Sequence, residues 1–249
     1  MKSLYIAIAI IALIIIFRKC EAYVNRDCTD VEVFILDSGV PGPSIGLLAG
    51  VHGNEPGPSI AISEMLKTGE LYPPRGKVIV VPRANSCGLY RNTRTQPGTR
   101  IDINRQFGEN GGLEDTSKKL ISTFQNCDIV VDFHEGWGFH LETKHKAKTN
   151  PLQPISLGSS ITPSSGNTAA KLAMAIKDKV NTRISDPLKK FAILWGDSCD
   201  IPKTFLCHRD LKGHEHILIE ITGQNNIQSQ AVRGQQTRDV IAAIWEQYF

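Results

Sequence analysis

In "DIVVDFHEG", Asp128 to Gly136, apolar residues fill four of the first six positions, and the run then ends on a histidine and a glutamate. Ile129, Val130, Val131 and Phe133 are β-branched or aromatic, which suits a strand covered on both faces. The preceding stretch, Leu113 to Asn126, sets Leu113, Leu120, Ile121 and Phe124 on one side of a helix and feeds directly into the strand. Helix followed by buried strand is the unit that the rest of the chain repeats.

Working outward, Val31 to Asp37 ("VEVFILD") alternates, while Ile45 to Val51 and Lys77 to Pro82 ("KVIVVP") are near-continuous apolar runs. All three read as strands, with a helix predicted over Ser59 to Lys67. Downstream, Asn167 to Asn181 and Gln228 to Tyr248 read as helices, and "KFAILWG" and "HILIEITG" as strands. This alternation predicts an α/β fold, a mixed, largely parallel sheet covered by helices on both faces. Ligands in such sheets gather at the carboxyl ends of strands. His52, His134 and Glu220 all fall at such ends. Two long connections, Ala84 to Gly112 and Leu141 to Gly166, interrupt the pattern, and loops of that length in a compact domain are more often functional than idle.

With 249 residues and 41% hydrophobic composition, the chain is long enough for one large domain. A formal charge of +3 from 28 basic and 25 acidic residues, mixed along the sequence, gives no case for nucleic acid. Arg91, Arg94, Arg100 and Arg105 are spaced for small anions rather than for a phosphate backbone. Leu4 to Phe17 carries no polar side chain except the Tyr5 hydroxyl, so residues 1–22 read as a signal peptide or a membrane anchor, followed by a connector over 23–30 and a catalytic domain over 31–249. The protein is then secreted, or held at a membrane if the segment is uncleaved. Six cysteines suit disulfides in an exported domain, with Cys199 and Cys207 the most local pair. None is spaced as C-x-x-C, which argues against a structural zinc knuckle.

The chemistry-bearing residues begin with "GVHGNEPG", where His52 and Glu55 stand three apart on a turn leaving a strand. Alone, H-x-x-E occurs often by chance. A catalytic zinc, however, takes three N/O ligands and keeps a position open for water, and His134 at another strand end would complete a His₂Glu set for one Zn²⁺ per chain. Ligating imidazoles need acceptors for their other nitrogen, and Asp132 and Asp102 are the candidates. Glu220 is a candidate general base, against the plainer reading of a carboxylate on the outward face of an edge strand; Glu135 and Glu215 are its rivals. His140 is near enough to His134 in sequence to compete as a ligand.

Four ordered motifs, "GVHGNEPG", "RIDINRQF", "VDFHEG" and "ILIEITG", resemble the succinylglutamate desuccinylase and aspartoacylase family, a branch of the zinc carboxypeptidase superfamily. The resemblance implies a zinc carboxypeptidase-like fold, with His52, Glu55 and His134 as zinc ligands and Glu220 as general base. It further implies Asn104 and Arg105 as binders of the substrate carboxylate, and Arg94, with Arg91 as runner-up, as the arginine that polarises the scissile carbonyl. Members generally carry a β-rich domain after the catalytic one and are cytosolic, whereas here one helix closes the chain and a hydrophobic segment opens it. The implied substrate is a small molecule or peptide with a free carboxylate. Deacylation of an N-acyl amino acid, trimming of a peptide or cell-wall stem peptide, and an inactive carboxylate-binding module are the readings that follow.

Overall fold

The structure, a computed structural model, describes residues 30–140 and 157–249. The leader expected over 1–22, nearly all of the connector, and residues 141–156 of the second long connection lie outside the described residues. The strands are β1 (Phe34–Asp37), β2 (Ser44–Ala49), β3 (Lys77–Val81), β4 (Phe107–Gly108), β5 (Gly111–Gly112), β6 (Ile129–Gly136), β7 (Ser160–Pro163), β8 (Ala192–Ile193) and β9 (Glu215–Thr222). The helices are α1 (Pro56–Thr68), α2 (Ser86–Arg91), α3 (Asp115–Phe124), α4 (Asn167–Asn181), α5 (Phe205–Leu211) and α6 (Gln230–Tyr248).

Seven strands form one sheet in the order β1-β3-β2-β6-β9-β7-β8. The central strands β3, β2, β6 and β9 run parallel, while β1 and β7 pair antiparallel to β3 and β9. This is the mixed, largely parallel sheet that the apolar runs predicted. On one face, Ile62 of α1, Ile176 of α4 and Ile244 of α6 pack on Leu47, Val131 and Ile219. On the other, Leu120 and Phe124 of α3 and Phe205 of α5 pack on Leu48 and Val130. Burial of a side chain of this size contributes about 1.5–3 kcal/mol. Truncating Phe124, which has no exposed surface, would therefore strike the second face directly.

Local chemistry sets the element ends. Helix α1 begins at Pro56 rather than the predicted Ser59, because proline fits the first turn, where its missing N–H is not needed, and it ends at Gly69 in the left-handed region. Strand β2 stops at Ala49, short of the predicted Val51. Gly50 there has φ +70°, and a Cβ would meet Ser59 Oγ at 2.6 Å. A capping box between Glu114 and Ser117 opens α3. Five of these elements were not predicted. Strands β4, β5 and β7 lie in connections read as loop, and α2 and α5 are short helices opened by the side chains of Asn85 and Thr204. "KFAILWG" is strand only at Ala192–Ile193, since β8 is the sheet edge and pairs with β7 alone.

Cys199 and Cys207 form a disulfide that ties the segment before α5 to the helix itself, and Cys127 is free and buried. Cys87 is also disulfide-bonded. Closing a loop of 8 residues should stabilise the fold by about 2–3 kcal/mol through the unfolded chain. Replacing Cys199 and Cys207 together by serine is expected to lose that amount in denaturant titrations under non-reducing conditions; unchanged stability would contradict it.

Candidate metal centre

The topology brings the three ligand candidates to one end of the sheet. Strand β2 turns at Gly50 and delivers His52 and Glu55 immediately before α1. His134 sits near the end of β6 and faces Glu220 in register on the neighbouring strand β9. Because side chains alternate along a strand, Asp132 shares a face with His134, and Leu218 with Glu220. Strand β9 lies between β6 and β7, so Glu220 belongs to the sheet interior and not to an outward-facing edge.

Among the described residues, His52, Glu55 and His134 form a group placed to share a metal, with their ligand atoms within 4.8 Å of one another and all three side chains buried. His52 Nδ1 lies 2.8 Å from Glu55 Oε1, and His134 Nδ1 lies 2.8 Å from Glu55 Oε2. The two Nδ1 atoms are 3.1 Å apart. Nitrogens bound at ~2.0–2.1 Å around a tetrahedral zinc stand about 3.3 Å apart, so the spacing fits. The opposite nitrogens are already engaged: His52 Nε2 is 3.2 Å from Asp102 Oδ1, and His134 Nε2 is 3.2 Å from Asp132 Oδ2. Each carboxylate is placed to accept from Nε2, which would leave Nδ1 as the nitrogen offered to an ion. Two imidazole nitrogens and a carboxylate, with their outer atoms tied, are a donor set that fits a zinc-type ion.

The charges follow from this packing. Burial opposes ionisation of Glu55, but the two imidazoles outweigh it and hold its pKa well below the usual carboxylate range. Burial likewise disfavours protonated His134, yet Asp132 and Glu55 on either side raise its pKa well above the ordinary value. Asp102 is held low by His52, Arg94 and Arg105 against its own partial burial. Glu220 behaves in the opposite way. Its removal from water pushes it up to about 7, with the nearby charge of Glu55 adding to the rise and His134 opposing it.

The long connection after β3 supplies the rest. Arg94 Nε donates to Asp102 Oδ2 at 3.1 Å and its Nη1 reaches Glu55 Oε1 at 3.5 Å, so the guanidinium hangs beside the three donors. Asp102 caps the short turn that carries Asn104 and Arg105, and Arg105 Nη1 donates to the Asn104 carbonyl at 2.7 Å. Arg94, Asn104, Arg105 and Glu220 all line one cavity of about 1010 Å³ that opens on His52 and Glu55. Arg91 does not line it; the residue ends α2 and is exposed. Of the rival bases, Glu215 accepts from the backbone N–H groups of Thr168 and Ala169 at the start of α4, near the far end of β9. Glu135 is bound by Arg233 on the opposite side of β6. His140 lines the cavity but lies outside the three-donor group.

Gln224 and the backbone N–H of Glu135 also serve this centre and were not foreseen. The first donates to Glu55 Oε1 at 3.1 Å and the last to Oε2 at 3.1 Å. A lone glutamine past "ILIEITG" carries no titratable signal, and a backbone donor carries no sequence signal at all.

Residues 41–140 match the succinylglutamate desuccinylase/aspartoacylase catalytic domain. The match contains the first three motifs and the three metal-ligand candidates, while Glu220 lies beyond it. No curated protein matches the chain in sequence. Solved structures agree in fold. The cell shape determinant Csd4 of Helicobacter pylori, a D,L-carboxypeptidase, superposes with a TM-score of 0.69 at 19% identity over 86% of this chain and 54% of its own. A succinylglutamate desuccinylase/aspartoacylase from Rhodobacter sphaeroides gives 0.55 at 19% identity, over 85% and 58%. The ectoine utilization protein EutE of Ruegeria pomeroyi gives 0.58 at 19% identity, over 84% and 59%. The chain thus resembles this family in sequence and in fold, and spans little more than half the length of these structures.

Proposed function

We propose that the chain is a zinc-dependent hydrolase of amide bonds that lie next to a free carboxylate. The observation that carries the reading is the convergence of His52 Nδ1, His134 Nδ1 and the Glu55 carboxylate, with Glu220 in register beside His134 and two arginines on the same cavity. Zinc held by His52, Glu55 and His134 would supply Lewis acidity and lower the pKa of water. Glu220 takes the proton of the attacking water and afterwards delivers it to the leaving amine. Arg94 offers its guanidinium to the oxygen on which negative charge develops. Arg105 grips the substrate carboxylate as a fork, and the Asn104 amide adds a donor. Asn104 Oδ1 accepts from Phe205 N at 3.0 Å, which leaves its NH₂ as the end turned to substrate.

Two kinds of substrate meet these requirements, an N-acyl amino acid and a peptide cut at its C-terminal end. The cavity favours the second, since about 1010 Å³ is far more room than one acylated amino acid fills. The similarity in fold to Csd4, which has been seen with a bound tripeptide, points the same way. The apolar run Leu4 to Phe17 and the Cys199–Cys207 disulfide support a place of action outside the cytosol, secreted or membrane-anchored.

The test is hydrolysis of matched peptides and N-acyl amino acids with a free or an amidated terminal carboxylate. Amidation, or Arg105→Ala with the free acid, should lower kcat/KM by about 10–150-fold, the worth of a charged hydrogen bond. Equal rates on acid and amide would remove carboxylate recognition from the proposal. A base with a raised pKa works only above it, so kcat/KM should fall on acidification along a limb centred at or below about 7. A profile flat from neutrality to pH 4 would move the base away from Glu220.

A further inference from the structure

Strand β9 ends at Thr222, and within two residues the chain doubles back over the metal centre. Gly223 allows the passage, because a Cβ there would meet Glu135 Oε1 at 2.4 Å and Arg233 Cδ at 2.7 Å. Asn225 and Asn226 follow, both left-handed with φ 58° and 57°, a conformation that non-glycine residues adopt at a cost and asparagine most readily. Asn226 Oδ1 accepts from Arg233 Nη2 at 3.3 Å, so the turn is latched to α6. The product of this construction is the placement of Gln224, which is 4% exposed and lines the catalytic cavity.

Both ends of the Gln224 amide are used at the centre. Its Nε2 donates to Glu55 Oε1 at 3.1 Å and to the backbone carbonyl of Glu135. Its Oε1 accepts from Asn54 Nδ2 at 3.3 Å, which fixes which way the amide faces. Glu55 Oε2 meanwhile accepts from the Glu135 N–H at 3.1 Å. The Glu55 carboxylate is therefore held by one neutral donor on each oxygen, while Asp102 and Asp132 hold the two imidazoles. Strained turns that persist because their surroundings fix them cluster at functional sites, and this one sets Gln224 against Glu55.

Resting on the metal reading above, we infer that Gln224 is a positioning residue of the metal centre: it fixes the orientation in which Glu55 presents its carboxylate to the ion. A residue that only packs the turn would change stability and leave the ion's environment alone. A residue that aims a ligand changes metal affinity and ligand field, and loss of such a contact typically weakens binding about 10–100-fold.

The experiment compares the whole chain with Gln224→Met, which removes the donor at similar volume, and Gln224→Asn, which keeps the amide but shortens its reach. Zinc affinity is read by competition with a chelator, and the visible spectrum is recorded on the cobalt-loaded protein. Thermal unfolding in excess chelator shows that each variant is folded, and Gln224→Asn carries the test if Gln224→Met does not fold. The inference predicts zinc binding about 10–100-fold weaker in both variants, with an altered cobalt spectrum. Folded variants that hold zinc within about twofold of the parent, with its spectrum, overturn this inference alone. A parent chain that takes up no metal overturns the metal reading and this inference with it.

Discussion

Glu220→Gln is expected to lower kcat by about 10²–10⁴-fold while the metal content stays that of the parent. Glutamine keeps the shape of the side chain, and Glu220 lies outside the three-donor group, so the loss isolates proton transfer. The carboxylate stands in register with His134 on adjacent parallel strands, which sets it beside the donor group without joining it. Its removal from water raises its pKa to about 7, where a carboxylate is a better proton acceptor than at its ordinary value. Steady-state kinetics with metal analysis on the same sample check the prediction. Activity within a few-fold of the parent would move the base to another residue.

Arg233→Ala is expected to cost about 3–5 kcal/mol of stability, because it strands the Glu135 carboxylate in the interior. The Arg233 and Glu135 side chains are 5% and 0% exposed, and Nη1 lies 3.0 and 3.1 Å from the two carboxylate oxygens. Burial pushes Glu135 up to about 7 even with Arg233 in place. The folded chain thus binds an extra proton between the ordinary value of 4.5 and about 7, and the contribution of this group to stability declines as pH rises through that window. Removing Arg233 takes away the counter-charge and raises the folded value further. The deficit should therefore be larger at pH 8, where the carboxyl of the parent is ionised and paired and that of the variant has no counter-charge, than at pH 5, where it stays neutral in both. Denaturant titrations of the metal-free protein at both pH values decide the matter. A deficit under about 1 kcal/mol that does not change with pH would show that the pair is not a buried counter-charge.

How much of this was legible follows from where the information lies. The central strands were readable because burial on both faces demands near-continuous apolar runs, and "IVVDFHEG" and "HILIEIT" have few other uses. The helices α3 and α4 carry a one-sided apolar stripe, which α6 shows only in its later half, from Val240 to Ile244. Strand β7, only four residues long and ending on Pro163, gives no period to detect, and β8 is two residues. Helices α2 and α5 are 6 and 7 residues long and declare themselves chiefly through their caps.

The site divides in the same way. His52, Glu55, His134 and Glu220 stand out as polar residues at the ends of apolar strands. Asp102 and Asp132 are legible once the imidazoles are suspected, since a ligating ring needs an acceptor. Arg91 and Arg94 are alike in sequence, and only the fold separates them, sending one to solvent and the other to Asp102 and Glu55. Gln224 reaches Glu55 across 169 residues of chain through a turn that no local pattern announces. Arg233 lies in a helix whose stripe is mixed, and its role shows only when Glu135 is found pointing at it.

The most direct test is metal content. The whole chain is purified, loaded with zinc, freed of excess by dialysis and measured by elemental analysis beside His52→Ala and His134→Ala. About one equivalent of zinc in the parent and loss of it in both variants is the predicted result. A folded parent that retains no metal, or a His52→Ala variant that keeps a full equivalent, would contradict the account at its centre.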